Sequence, residues 1–157
     1  MDGKRREVLK TGGGLTLLSL VMAAGWLRPG DALAAEWNKA AFDAKTLDDT
    51  MKALGGSAPA QTKYVAFVNT PDIAENGAVV PIGIVSSIPK TESIAILIEK
   101  NPNMLAAVFD IPSGTDPAIS TRVKMGQSSN VYALVKADGK YFAAVKEIKV
   151  TLGGCGG

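Results

Sequence analysis

The 157-residue sequence has no histidine and one cysteine. Without imidazole, Ser-His-Asp and Cys-His nucleophile pairs are impossible, as are zinc sites that use histidine. A single thiol excludes an internal disulfide, a thiolate metal cluster and a CxxC redox pair. Long apolar runs are also missing. The longest, Leu15 to Trp26, is about half of the ~20 residues that span a bilayer, so no membrane span is expected.

What is present begins with the layout of an export signal over residues 1–34. Lys4-Arg5-Arg6 precedes the apolar run, and Ala32-Leu33-Ala34 has the small-x-small form of a signal-peptidase site. The run Arg5-Arg6-Glu7-Val8-Leu9-Lys10 resembles a twin-arginine (Tat) signal, with Val8 where that pattern prefers Phe and Lys4 where it prefers Ser or Thr. An ordinary Sec signal is the alternative. Gly12-Gly13-Gly14 lies inside this segment and lacks the Lys-Ser/Thr of a phosphate loop.

Residues 1–34 hold five of the 17 basic and three of the 15 acidic residues. The mature chain from Ala35 then carries 12 of each, a formal net charge of zero. The basic character of the whole chain therefore says nothing about nucleic acid, and no Lys/Arg block remains to bind it. At this length one domain with its own core is expected over residues 35–152. Export also makes Cys155 conspicuous, because the compartment beyond the membrane oxidises unpaired thiols.

From Ala35 to Leu54 the pattern is helical. Thr46 is the expected N-cap with Asp49 three residues on, and Gly55-Gly56 is the expected stop. Leu47, Met51 and Leu54 form one apolar stripe. Asp48 and Asp49 suit the first turn of a helix rather than a catalytic pair.

Beyond Pro59 the chain reads as seven short strands: 63–69, 78–86, 93–99, 106–111, 118–125, 130–137 and 140–152. Asp138-Gly139 marks a two-residue hairpin turn. These features predict a mainly β fold, an immunoglobulin-like antiparallel sandwich of about seven strands with a short N-terminal helix. Ile94, Ile96, Leu97 and Ile98 are apolar on more positions than one buried face needs. Core burial on both faces, or a surface covered by a partner, would each explain this.

The last predicted strand runs into Gly153-Gly154-Cys155-Gly156-Gly157. Four glycines around the lone thiol predict a slim, flexible C-terminal arm over residues 153–157, because glycine loses the most entropy on ordering. A self-sufficient catalytic thiol needs a histidine, a lysine or a helix N-terminus beside it to expose thiolate. Cys155 has none of these in sequence, so it is expected to be an attachment point rather than a catalyst, and no metal or resident cofactor is expected.

The tail Val150 to Gly157, the segment Ile73-Ala74-Glu75-Asn76-Gly77-Ala78-Val79-Val80-Pro81 and the stretch Glu92 to Pro102 resemble the SoxY family, the sulfur carriers of the bacterial Sox thiosulfate-oxidising system. The resemblance implies a periplasmic carrier that forms a heterodimer with SoxZ, a β-sandwich protein. It further implies that a c-type cytochrome complex couples thiosulfate to Cys155 and that a manganese-dependent hydrolase releases sulfate, leaving a persulfide. In some systems a molybdenum sulfane dehydrogenase then oxidises the outer sulfur. Two other readings of the same tail remain open at this point. Gly156-Gly157 is also the ending of ubiquitin-like carriers that hold sulfur as a C-terminal thiocarboxylate, and Cys155 could form an intermolecular disulfide in an exported assembly protein.

Overall fold

The computed structural model describes residues 38–151. Within these residues two short helices come first, α1 (Lys39–Asp43) and α2 (Leu47–Ala53). Nine strands follow: β1 (Ala60–Gln61), β2 (Val65–Val68), β3 (Ile73–Ala74), β4 (Val80–Ser86), β5 (Thr91–Ile98), β6 (Leu105–Asp110), β7 (Ala118–Val123), β8 (Ser129–Ala137) and β9 (Lys140–Val150). All seven predicted strands form. Two more, β1 and β3, are two residues long and lie parallel to β9.

The helical segment is not one helix, because Ala44 is extended at φ −63°, ψ 140°. Its carbonyl accepts a hydrogen bond from the Met104 N–H at 3.2 Å, which takes it out of any helical ladder. The chain then caps twice. Asn38 Oδ1 accepts from the Ala41 N–H at 3.1 Å at the start of α1, and Thr46 Oγ1 accepts from the Asp49 N–H at 3.1 Å at the start of α2. Helix α2 ends as its glycines require. Gly55 has φ 74°, its N–H bonds the Lys52 carbonyl, and the Gly56 N–H reaches back to Met51.

The strands form two sheets, β1-β9-β8-β5-β6 with β3 also on β9, and β2-β4-β7. Between them lies a core that includes Ile82 and Ile84 of β4, Ile94, Ile96 and Ile98 of β5, and Val131 and Val135 of β8. A second core sits on the other face of the larger sheet, where Ala95, Leu97, Leu134 and Ala143 pack under Ala41, Met51 and Met104. Strand β5 is therefore buried on both faces by its own chain, and Ile94 to Ile98 are each at most 4 % exposed. This settles the surplus of apolar residues in that strand as core. A partner surface there, the other explanation, is not available.

At the far end of β8 the predicted hairpin forms, with Asp138 at φ 50° and Gly139 at φ 72° joining Ala137 to its register partner Lys140. Among the described residues three polar side chains are buried, and each is satisfied. Thr50 Oγ1 donates to the Thr46 carbonyl, Ser86 Oγ bonds Thr91 Oγ1 at 2.9 Å, and Ser129 Oγ accepts from the Lys100 N–H at 3.0 Å. Among the described residues no helix is long and apolar enough to cross a membrane.

Candidate functional site

Strand β9 is the element that delivers the C-terminal segment. It runs 11 residues from the hairpin to Val150 and pairs with β8 along most of its length. Near its end it is held on both sides. On one side β3 pairs with it in parallel, Ile73 opposite Lys149 and Ala74 opposite Val150. The Lys149 N–H donates to the Asp72 carbonyl at 2.9 Å, and the Thr151 N–H donates to the Ala74 carbonyl at 3.1 Å. On the other side the Val150 N–H donates to Ser128 Oγ at 2.9 Å. Val150 itself packs against the inter-sheet core. The sandwich thus fixes the chain up to Thr151, four residues before the only thiol.

Cys155 and Gly153, Gly154, Gly156 and Gly157 lie outside the described residues, as do Arg5 and Arg6. What the structure adds is the platform around the root of that segment. Beside Thr151, the chain from β3 to β4 makes a turn in which Asn76 Oδ1 accepts from the Ala78 N–H at 2.8 Å and the Asn76 carbonyl from the Val79 N–H at 3.3 Å. The Met125 N–H anchors that turn to the smaller sheet through the Gly77 carbonyl at 2.7 Å. Two large apolar side chains of this stretch stand in solvent, Ile73 at 57 % and Val79 at 52 % exposure. Lys149 and Glu75 beside them are exposed as well.

The titrating groups with shifted behaviour are elsewhere. Glu92 is held below the usual carboxylate range, first by the Gly139 N–H and then by Lys136, and Lys136 is raised in turn by Glu92. They sit at the hairpin end of β9, whose 11 residues from Lys140 to Val150 separate them from the root by about 33 Å. The Tyr132 hydroxyl is pushed up by burial, with a smaller contribution from Glu99. A hollow of about 360 Å³ lined by Pro89, Lys90, Pro112 and Pro117 is also at the hairpin end, since Lys90 pairs with Asp138. No cluster of three acidic or thiol side chains that could hold a metal occurs among the described residues.

Sequence reasoning missed the β3 clamp. A two-residue strand offers no alternation to read, and Pro71-Asp72 before it reads as a turn.

The model of the SoxY family, described as sulfur oxidation protein SoxY, matches residues 50–155 and so reaches Cys155. The chain belongs to the SoxY family. Among solved structures it is similar to the sulfur carrier protein SoxY from Chlorobium limicola f thiosulfatophilum, at 37 % identity and a TM-score of 0.61, over 68 % of this chain and 96 % of that one. A superoxide reductase (neelaredoxin) from Ignicoccus hospitalis aligns at 17 % identity and a TM-score of 0.48, over 66 % and 91 %, too distant to carry an argument. No curated protein sequence matches the chain. Within the SoxY family the mainly β sandwich with its short helical segment is the shared fold.

Proposed function

We propose that this SoxY-family chain is a periplasmic sulfur carrier, without catalytic chemistry of its own, that holds thiosulfate-derived intermediates on Cys155. The observation that carries this reading is the family match through Cys155, joined to a root that the sandwich fixes four residues earlier. A thiol on an anchored glycine segment can be moved between enzymes while the domain stays folded. In the cycle, a c-type cytochrome complex removes two electrons as thiosulfate joins the Cys155 sulfur, giving a cysteine thiosulfonate. Water then attacks in a manganese-dependent hydrolase, releasing sulfate and leaving a persulfide. Where a molybdenum sulfane dehydrogenase is present, it oxidises the outer sulfur, and a second hydrolysis restores the thiol. The chain supplies Cys155 and the slim backbone of Gly153, Gly154, Gly156 and Gly157, which leaves no side chain to obstruct a narrow catalytic pocket.

SoxZ is the proposed heterodimer partner. With β5 buried, the described surface best suited to it is the outward face of the smaller sheet. It comprises Ala66 and Val68 on β2, Pro81, Gly83 and Val85 on β4, and Ala118, Ser120 and Arg122 on β7. Arg122 is the single charge on it, a composition that suits a covered sheet face better than a solvated one. Export through the twin-arginine signal at Arg5 and Arg6 completes the reading.

The test is turnover of thiosulfate in a system reconstituted from the carrier and its partner enzymes. Cys155→Ser abolishes turnover and leaves the melting temperature unchanged, and replacing Gly154 and Gly156 with Val leaves a titratable thiol but slows loading and hydrolysis. Intact mass of protein taken from its own periplasm, with and without reductant, locates the sulfur on Cys155. Turnover by the Ser variant overturns the proposal. So does sulfur found on the terminal carboxylate, or a thiol seen solely in reducible dimers.

A further inference from the structure

Between the two short strands that edge it, β9 carries Lys146. Pairing with β1 ends at Ala143 and pairing with β3 begins at Lys149, so Lys146 stands in the gap. Its side chain is 24 % exposed, and its ammonium donates to the Thr70 carbonyl at 2.6 Å and lies 3.0 Å from an Asp72 carboxylate oxygen. The carbonyl is the firmer partner, because the Asp72 side chain is 89 % exposed and screened by water. Among the described residues no other side chain of β9 bonds the stretch from Thr70 to Ala74.

That stretch closes the end of β9. A strand of two residues such as β3 has too few ladder bonds to stay in place by itself, so what flanks it decides whether it stays. On its downstream side Ala74 is buried and the Gly77 carbonyl is bonded by the Met125 N–H. On its upstream side the tie is Thr70, whose Oγ1 accepts from the Gly83 N–H of the smaller sheet and whose carbonyl meets Lys146. Two residues on, the Asp72 carbonyl accepts from the Lys149 N–H and the β3 ladder starts.

Where the ladder ends decides how far Cys155 can reach. With β3 in place the chain is held to Thr151, and the four steps from there to Cys155 span at most about 14 Å. With β3 lifted, Val150 keeps its bond to Ser128, and the next firm anchor is Ile148, fully buried and paired with Ser129. Seven steps separate Ile148 from Cys155, a span of up to about 25 Å.

We propose that Lys146 is a positioning residue for Cys155: by holding residues 70–74 on β9 it fixes Thr151 as the point where the chain leaves the sheet, and with it the reach of the thiol. This rests on the carrier reading above and deepens it, because it gives the length of the carrier arm to a side chain inside the fold.

The first measurement is amide hydrogen exchange at Lys149 and Thr151 in the mature chain, alone and with SoxZ. It compares wild type, Lys146→Met, the milder Lys146→Gln and the control Lys39→Met, which breaks an ion pair within α1. Lys146→Met keeps the apolar stem and removes the ammonium. It speeds exchange at both amides about tenfold or more, the loss of one charge-assisted hydrogen bond, while the Leu134 amide and the urea midpoint hold. Lys39→Met changes none of these. The second measurement is thiosulfate turnover in the reconstituted system with Gly153 and Gly154 deleted. In the otherwise wild-type chain the deletion halves the steps from Thr151 to Cys155 and cuts turnover; combined with Lys146→Met it costs less, because residues 149–151 lend their length. A lysine that merely stabilised the domain would not give that compensation. Unchanged exchange at Lys149 and Thr151 overturns the proposal, as does faster exchange throughout the sheet or a deletion that costs the same in both backgrounds. Lys146→Gln decides the matter if Lys146→Met melts early. Exchange is read without the partner enzymes, so failure of the carrier reading is separate and shows as turnover by Cys155→Ser.

Discussion

Gly83 of β4 lies so close under β2 that a Cβ placed on it would stand 2.3 Å from the Val68 carbonyl oxygen. The two residues are register partners, and β2 leaves the sheet directly after Val68. Asn69, at φ 49°, turns the chain there, and Thr70 Oγ1 takes over the ladder by accepting from the Gly83 N–H at 3.0 Å. The detour takes the chain off the smaller sheet and returns it as β3 beside β9.

Gly83→Ala is accordingly expected to destabilise the domain by about 1–3 kcal/mol, the range for forcing extra atoms into packed structure. The clash is with backbone, which cannot swing aside as the end of a side chain can. Urea unfolding of the purified variant measures this. A midpoint equal to that of wild type would show that β2 relaxes away without loss.

Much of this architecture was legible in the sequence, for physical reasons that differ by element. The seven longer strands announce themselves by alternation and by breakers such as Asp138-Gly139, whose turn geometry few other residues adopt. Thr46 and Gly55 marked the ends of α2 because capping is local chemistry. The break at Ala44 was hidden, since its cause is a hydrogen bond from Met104, 60 residues away in sequence. The run Ile94 to Ile98 was ambiguous for a similar reason. Burial on two faces looks the same in sequence whether the second cover is α1 and α2 or another protein. Cys155 was legible because it is the lone thiol between glycines. The β3 clamp was not, because Ile73 and Ala74 gain meaning from pairing with Lys149 and Val150, and that adjacency is tertiary.

Glu92 provides a pH-dependent prediction. Its carboxylate accepts from the Gly139 N–H at 3.0 Å and lies 3.2 Å from Lys136 Nζ. Both favour the charged form, so the folded protein holds its pKa below the ordinary glutamate value. A depressed carboxylate pKa contributes stability that is fully present above the unfolded value and is lost as pH falls through the folded one. Glu92→Gln should therefore melt below wild type near pH 7, and the gap should close as the pH falls through the lowered pKa. The effect is modest, because the pair is exposed and screened. A gap that stays constant across that range would mean that the charge on Glu92 contributes nothing.

The proposed export yields the last prediction. The Tat route moves folded proteins, and a common reason to need it is a cofactor inserted before crossing. This chain has no histidine and one cysteine with which to hold one. A second reason is a partner that folds onto the protein in the cytoplasm and crosses with it, and SoxZ, the proposed partner, is the candidate. Its proposed seat is the nearly uncharged outward face of β2, β4 and β7, in place of the buried β5. Changing Arg5 and Arg6 to Lys is then expected to leave both proteins in the cytoplasm together. Val85→Lys, on the middle strand of that face, is expected to let the carrier cross while SoxZ stays behind, because a lysine there must be desolvated for the partner to seat. Cell fractionation with antibodies to each protein reads both outcomes. SoxZ found outside while the Arg5/Arg6 variant stays inside would refute joint export, and SoxZ crossing normally with Val85→Lys would move its seat to another face.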